Sequence, residues 1–213
     1  MQVIGYRFVE GGELEWAAAY KHERGLRGVA VFGDRVVALS AKELVSLDLD
    51  LGGKQEKELG YEGRAVAAHG ETLFVADAAG GVHVHGLDLA EKEEFVKQQH
   101  EVTCLAVSAD GKVLVTGDSY RQVIAYDVET KKEIGTLARH TARVLSVAFS
   151  ADGKSVVSCS GDSSVLVWQY AENTWHKLDK PHESPVNYAV FKGSEKEIVT
   201  TGMDCTIMHW NLP

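Results

Sequence analysis

The feature that most constrains this chain is that it repeats itself. Runs with strand character and the turns between them recur so that related positions fall at Tyr6, Leu47, His85, Tyr126, Trp168 and Trp210. A near-constant pitch of roughly 40 residues marks supersecondary units that stack on one another, because one such unit cannot bury its apolar face alone. The clearest copy runs from His140 to Trp168. It holds three short runs, Val144 to Phe149, Ser155 to Cys159 and Val165 to Tyr170, separated by an Ala-Asp-Gly-Lys turn and a Ser-Gly-Asp-Ser-Ser turn. Alternating apolar residues between turns of this kind predict an antiparallel meander. Ser-Ala-Asp-Gly-Lys occurs identically at 108–112 and 150–154. Its glycine supplies the left-handed position and its aspartate ties back the backbone of the turn.

Taken in order, the chain predicts two strands at 2–9 and 13–20 around Glu10-Gly11-Gly12, followed by units at about 26–59, 61–98, 100–137 and 140–179, and a three-stranded unit at 182–210. All 213 residues are expected to form one domain. Segment 88–94 is read as an exposed loop leading into an outer strand, being too short for an independent helix. Each unit opens with a strand of small and β-branched residues, such as Val-Ala-Val-Phe or Tyr-Ala-Val-Phe, and closes with a polar one such as Lys131 to Leu137. That gradient predicts sheets arranged radially, with the first strand crowded at a hub and the fourth facing solvent. A solenoid would lack the gradient and a sandwich would not keep the pitch.

The formal charge of −9 argues against a nucleic-acid binder, and the absence of an 18-residue apolar run or a leader h-region argues against a membrane protein. Cys104, Cys159 and Cys205 are odd in number, lie in predicted strands and lack metal-ligand spacing. They read as buried thiols in a reducing, cytoplasmic setting.

From His100 onward the units resemble WD repeats, the four-stranded antiparallel blades of a β-propeller. The resemblance implies an all-β propeller, and the pitch from Tyr6 to Leu47 favours an incomplete arc of a seven-bladed ring over a closed five-bladed ring in which 13–20 pairs beside 206–210. It also implies a hydrogen-bond network in each regular blade: His140, Ser158, Asp162 and Trp168 in one, His182, Thr200, Asp204 and Trp210 in the next. A His/Ser/Asp trio could also suggest a hydrolase, but a catalytic triad occurs once and this set recurs at the pitch of the repeat. In the third unit His100 and Thr116 match, while Tyr120 and Tyr126 replace the aspartate and tryptophan. The first two complete units lack the network and are expected to hold by apolar packing alone. His83 and His85 share a strand face, with His69 as the nearest further ligand; ordinary strand histidines fit better than zinc. No cofactor motif is present, so no cofactor, metal or enzymatic activity is expected.

The partners implied are proteins. Arg27, Arg64, Arg143 and Tyr188 lie near the starts of innermost strands, and Tyr120 lies in a turn; together they are the candidate interaction surface, since buried aromatics and arginines dominate interfaces. Within the family the likeness is to members that bind actin filaments and promote their disassembly with cofilin. It rests on the weakly matching early units, the tyrosine ending of the third and Thr-Thr-Gly-Met-Asp…His-Trp at 200–210. An adaptor in some other multiprotein complex is the alternative. The open edges of an arc call for more chain, a second copy or a partner.

Overall fold

The computed structural model describes residues 2–8, 14–21, 25–32, 34–48, 53–178, 182–193 and 196–212. The predicted turns at Glu10-Gly11-Gly12 and at Gly33 lie outside the described residues, as do the side chains of Tyr6, Trp16 and Tyr20. Among the described residues the chain is built of strands alone. Two, β1 (Gln2–Phe8) and β2 (Leu14–Lys21), pair with each other. Then come four antiparallel sheets of four: β3 (Leu26–Phe32), β4 (Arg35–Ser40), β5 (Glu43–Asp48) and β6 (Gln55–Glu58); β7 (Gly63–His69), β8 (Thr72–Asp77), β9 (Gly81–His85) and β10 (Glu91–Lys97); β11 (Val102–Val107), β12 (Val113–Asp118), β13 (Val123–Asp127) and β14 (Glu133–Leu137); and β15 (Val144–Phe149), β16 (Ser155–Ser160), β17 (Val165–Gln169) and β18 (Thr174–Lys177). The last sheet has three, β19 (Val186–Phe191), β20 (Glu197–Gly202) and β21 (Ile207–Asn211).

The first strands pack in sequence, β3 on β7, β7 on β11, β11 on β15 and β15 on β19, so the sheets fan around a hub. One apolar cluster fills each junction. Val37, Leu39 and Leu44 meet Leu73 and Val75; Phe74, Val82 and Phe95 meet Leu105, Leu114 and Tyr126; Val115, Ala125 and Leu137 meet Val147, Val156 and Trp168; Val157, Val165 and Val167 meet Val186, Ala189 and Ile198. Burying a valine or leucine contributes about 1.5–3 kcal/mol, so each junction outweighs any single polar contact in it. Strand β2 pairs with β1 and not with β21, so the pairing that would close a five-bladed ring is not made. Among the described residues the fold is an incomplete propeller arc. At one end Val29 and Val31 are exposed, at the other Tyr188, Val190 and Ile207.

Segment 88–94 differs from expectation. Residues 91–94 already belong to β10, and Leu89 is 1 % exposed, turned inward by a left-handed backbone (φ 59°) into the first junction. Cys205 also differs: it lies exposed in the β20–β21 turn rather than in a strand, while Cys104 and Cys159 are buried.

The hub tolerates little added volume. A Cβ on Gly117 would lie 2.6 Å from both Cys104 Sγ and Val144 Cγ1. On Gly161 the nearest atom would be 3.5 Å away, an ordinary contact. Gly117→Ala is therefore expected to cost about 1–3 kcal/mol by overpacking, and Gly161→Ala less than half as much, measured by urea unfolding. Equal costs would place Gly117 outside the close approach of β11, β12 and β15.

Candidate functional site

Four of the histidine-network residues meet in the last sheet. Trp210 Nε1 donates to Thr200 Oγ1 (3.1 Å), and Thr200 Oγ1 lies 2.8 Å from His182 Nε2. His182 Nδ1 lies 2.8 Å from Asp204 Oδ2, and the same carboxylate accepts from Thr206 Oγ1 and from the Glu183 and Thr206 amides. The acceptor at one end fixes the tautomer: Nδ1–H donates to the carboxylate and Nε2 accepts from the threonine hydroxyl. The carboxylate thus holds the loop before β19 to the turn before β21. Its titration point lies below the ordinary range, chiefly through the Thr206 bond and, against desolvation, the His182 bond.

The preceding sheet departs from the expected pattern in two places. His140 Nε2 meets Ser158 Oγ at 2.9 Å, but Nδ1 reaches Ser164 Oγ at 2.8 Å, with Asp162 Oδ2 farther away at 3.5 Å. Ser164 passes the contact on, donating to Asp162 Oδ1 at 2.5 Å, and Asp162 Oδ2 accepts from the Thr141 amide. Trp168 Nε1 donates to Asn173 Oδ1 at 3.3 Å rather than to Ser158. Asn173, at φ 52° in the β17–β18 turn, puts a side-chain acceptor beside the indole. Burial alone would raise Asp162, but the bonds from His140, Ser164 and the Thr141 amide outweigh it and hold the carboxyl below its usual range.

In the third sheet the histidine's place is taken by Gln98, which stands one repeat before His140. Gln98 Nε2 donates to Thr116 Oγ1 at 2.7 Å, the contact that His140 and His182 make to Ser158 and Thr200. His100 instead stacks on Tyr120, with ring centroids 4.3 Å apart, and the Arg121 guanidinium lies over the tyrosine ring, 4.7 Å from its centroid.

The second sheet does not hold by apolar packing alone. Buried His83 lies 2.9 Å from both Asp77 Oδ2 and Glu91 Oε1, and the Tyr61 ring stacks on it at 3.8 Å. His85 Nδ1 can only donate to the Leu89 carbonyl (2.9 Å), so its Nε2 accepts from the Tyr61 hydroxyl at 2.6 Å. Burial favours neutral His85 and lowers its titration point. Desolvation would raise Asp77, but bonds from His83 and from the Gly81 and Ala79 amides hold it low. His69 takes no part; its Nε2 meets the Ala109 carbonyl. Among the described residues no cluster has the make-up of a metal site.

Of the five candidate surface residues, Arg27, Arg64 and Tyr188 line one groove along the hub, with Thr103 and Leu145 between them. The two arginines are already engaged: Glu62 Oε1 lies 2.9 Å from Arg27 and 3.1 Å from Arg64, and Glu101 lies 2.5 Å from Arg64. Tyr120 and Arg143 stand outside that groove but on the same rim. The turn between second and third strands bonds there to the segment before the first, Ser119 N to Glu101 O (2.9 Å) and Gly161 N to Arg143 O (3.0 Å). Tyr188 is 66 % exposed and Tyr120 53 %.

Radial four-stranded antiparallel sheets, locked by a repeated histidine–hydroxyl–carboxylate contact, define propeller blades. The WD domain, G-beta repeat family matches residues 92–127, 131–169 and 175–211. The chain belongs to the WD-repeat family, a scaffold for protein interaction. It is 31 % identical to Actin-interacting protein 1 of Caenorhabditis elegans over 95 % of its own length and 35 % of that protein's. It is 30 % identical to Actin-interacting protein 1 of Drosophila melanogaster, over 87 % and 32 %, and 28 % identical to the 66 kDa stress protein of Physarum polycephalum, over 69 % and 25 %. It spans about a third of the length of the first and second of these. No helix among the described residues is long and apolar enough to cross a membrane.

Two predictions test the polar anchors. Asp162→Ala leaves a buried relay unpaired and should cost about 1–3 kcal/mol, whereas Asp152→Ala, in the exposed Ser150–Ser155 turn, should cost under about 1 kcal/mol. Tyr61→Phe, which strips the hydroxyl bonded to His85 Nε2, should cost about 1–2 kcal/mol. Equal unfolding free energies for all three would mean that neither anchor is buried. The second concerns pH. Unfolded imidazole takes up its proton near pH 6.5, while buried His85 resists it, so stability should begin to fall as pH drops below about 6.5. The carboxyls of Asp77, Asp162 and Asp204 are held low in the fold, so their contribution is complete above about pH 4 and is lost below it. Melting temperature against pH should show two descending stages, with His85→Gln removing most of the first. A flat profile between pH 7 and 5 contradicts this.

Proposed function

We propose that residues 1–213 act as one non-enzymatic interaction module that binds actin filaments and supports their disassembly together with cofilin, in a cytoskeletal setting of the cytoplasm. The observation that carries the reading is the likeness over 95 % of the chain to a relative named for its interaction with actin. The rim supports it physically. Tyr188 and Tyr120 offer large exposed rings that lose little side-chain entropy on binding, the residue type that anchors interfaces. Arg27 and Arg64 are pre-organised by Glu62 and Glu101 rather than free, so they position the rim more than they attract a partner. The hydrolase reading of the His/Ser/Asp sets gains no support, because each histidine is buried and its partners are fully occupied within the blade. Nor do the described residues offer a second such set facing a cavity.

Co-sedimentation with filamentous actin, with and without cofilin, tests the proposal. The chain should pellet with filaments, more so when cofilin decorates them, and should raise the unpolymerised fraction. Tyr188→Ala should weaken pelleting several-fold while leaving the melting temperature unchanged. Pelleting no greater than that of an unrelated propeller, with or without cofilin, overturns the actin reading and leaves the adaptor role for a different complex.

A further inference from the structure

The arginines whose side chains are described divide into two groups by what neutralises them. Arg27 meets Glu62, Arg64 meets Glu62 and Glu101, and Arg35 meets Asp48. Arg121, Arg139 and Arg143 form no ion pair among the described residues, and all three are exposed. Two of them rest on aromatic rings instead. The Arg121 guanidinium lies 4.7 Å from the centroid of Tyr120, and that of Arg139 lies 5.2 Å from the centroid of Trp175. A guanidinium seated over a ring keeps N–H groups at its edge for a second partner, and their fork matches a carboxylate.

The topology gathers the three at one end of the third and fourth sheets. Val123 at the start of β13 stands opposite Leu137 at the end of β14. Arg121 comes shortly before the first and Arg139 shortly after the second, so both leave the same sheet end from neighbouring strands. Arg143 immediately precedes Val144, which packs against Gly117 near the end of β12, the strand that runs into the Tyr120–Arg121 turn. Thr103 Oγ1 clasps the same place, lying 3.0 Å from Gly117 O and 2.6 Å from Val144 O.

The carboxylates of these turns are already engaged. Asp118 is 1 % exposed, and its Oδ1 accepts from the Tyr120 and Gln122 amides. Asp162 accepts from the Thr141 amide and the Ser164 hydroxyl, and Glu101 pairs with Arg64. The rim is therefore locally positive on a chain whose formal charge is −9. Like charges gathered without a counterion repel one another, and carboxylates brought from outside relieve that repulsion. A long polyanion such as nucleic acid would meet the negative field of the remaining surface, whereas a short acidic segment meets only the rim.

We propose that this rim binds a short acidic segment of a partner protein, with Arg121, Arg139 and Arg143 pairing its carboxylates and with Tyr120 and Trp175 as the platforms that hold two of the guanidinium groups. Arginine with tyrosine and tryptophan is the make-up of interface anchors. The proposal goes beyond the actin reading and does not rest on it.

A fluorescein-labelled glutamate hexapeptide, titrated into the full chain and followed by anisotropy, is the test. Saturable binding is expected at low salt, weakening as added salt screens the pairs, and a serine hexapeptide should not bind. Arg121→Ala, Arg139→Ala and Arg143→Ala combined should weaken binding about tenfold. Lys112→Ala, Lys132→Ala and Lys154→Ala combined remove the same charge from turns at the opposite end of the same sheets. That variant should bind within about twofold of the unaltered chain. If the arginine variant fails to fold, Arg121→Gln, at an exposed turn position, takes its place with an expected loss of about threefold. No saturable binding overturns the proposal. So does an equal loss from the arginine and lysine variants, which would mean that net charge alone is read. Tighter binding of a thymidine hexanucleotide than of the glutamate peptide overturns it as well, by assigning the rim to nucleic acid.

Discussion

Each sheet of this protein keeps its two faces dry only because another sheet lies against it. The four junctions are therefore the unit of stability, and a blade is incomplete by itself. Within the arc this condition is met so well that third strands such as β17 are almost fully enclosed. At the ends it is not met, and the same residue types become surface: Val29 and Val31 on β3, Tyr188 and Val190 on β19, Ile207 on β21. The ends of the arc and its function are thus one physical question, because exposed β-branched side chains on an open sheet demand a neighbour.

Polar groups are secondary to that packing but decide how each blade is fastened. The recurrent task is to tie the segment entering a blade to its own second strand without leaving a buried donor or acceptor unpaired. His182 does this through Thr200 with Asp204 on its other nitrogen, His140 through Ser158 with Ser164 on its other nitrogen, and Gln98 with an amide bond to Thr116. In the second blade a different cluster fastens the incoming chain, with Tyr61 bonded to His85 and stacked on His83 between two carboxylates. One constraint has four chemical answers, which explains why the repeat is plain in its pitch and irregular in its motif.

The pitch, the turns and the gradient from apolar first strand to polar fourth were legible in the sequence because they follow from local patterning. The identity of the fasteners was less so. His100 reads as the anchor of the third blade, yet the equivalent place lies slightly earlier at Gln98, a shift that the contact with Thr116 makes plain. Counting one full repeat back from His140, at the step that separates Trp168 from Trp210, is the signal that finds it. Trp168 and Ser158 match the repeat pattern, but Asn173 in the neighbouring turn supplies the indole's acceptor, and turn geometry at a positive φ is not written in spacing. The Tyr61–His85 and Asp77–His83–Glu91 contacts join three strands and a loop, so no linear pattern announces them. Leu89 was hidden for a related reason, lying in a short polar-looking segment and turned inward by its backbone.

The central claim is that the five sheets form an open arc, with β3 and β19 at separate ends. Spin labels at Val31→Cys and Val190→Cys, in a Cys205→Ser background, report that separation directly by pulsed dipolar spectroscopy. The other two thiols should stay unlabelled, since burial pushes Cys104 up to about 12 and raises Cys159 as well. The account predicts a separation well beyond the spacing of two sheets packed face to face. A single narrow distribution at that packed-sheet spacing would mean that the ends meet and the ring is closed.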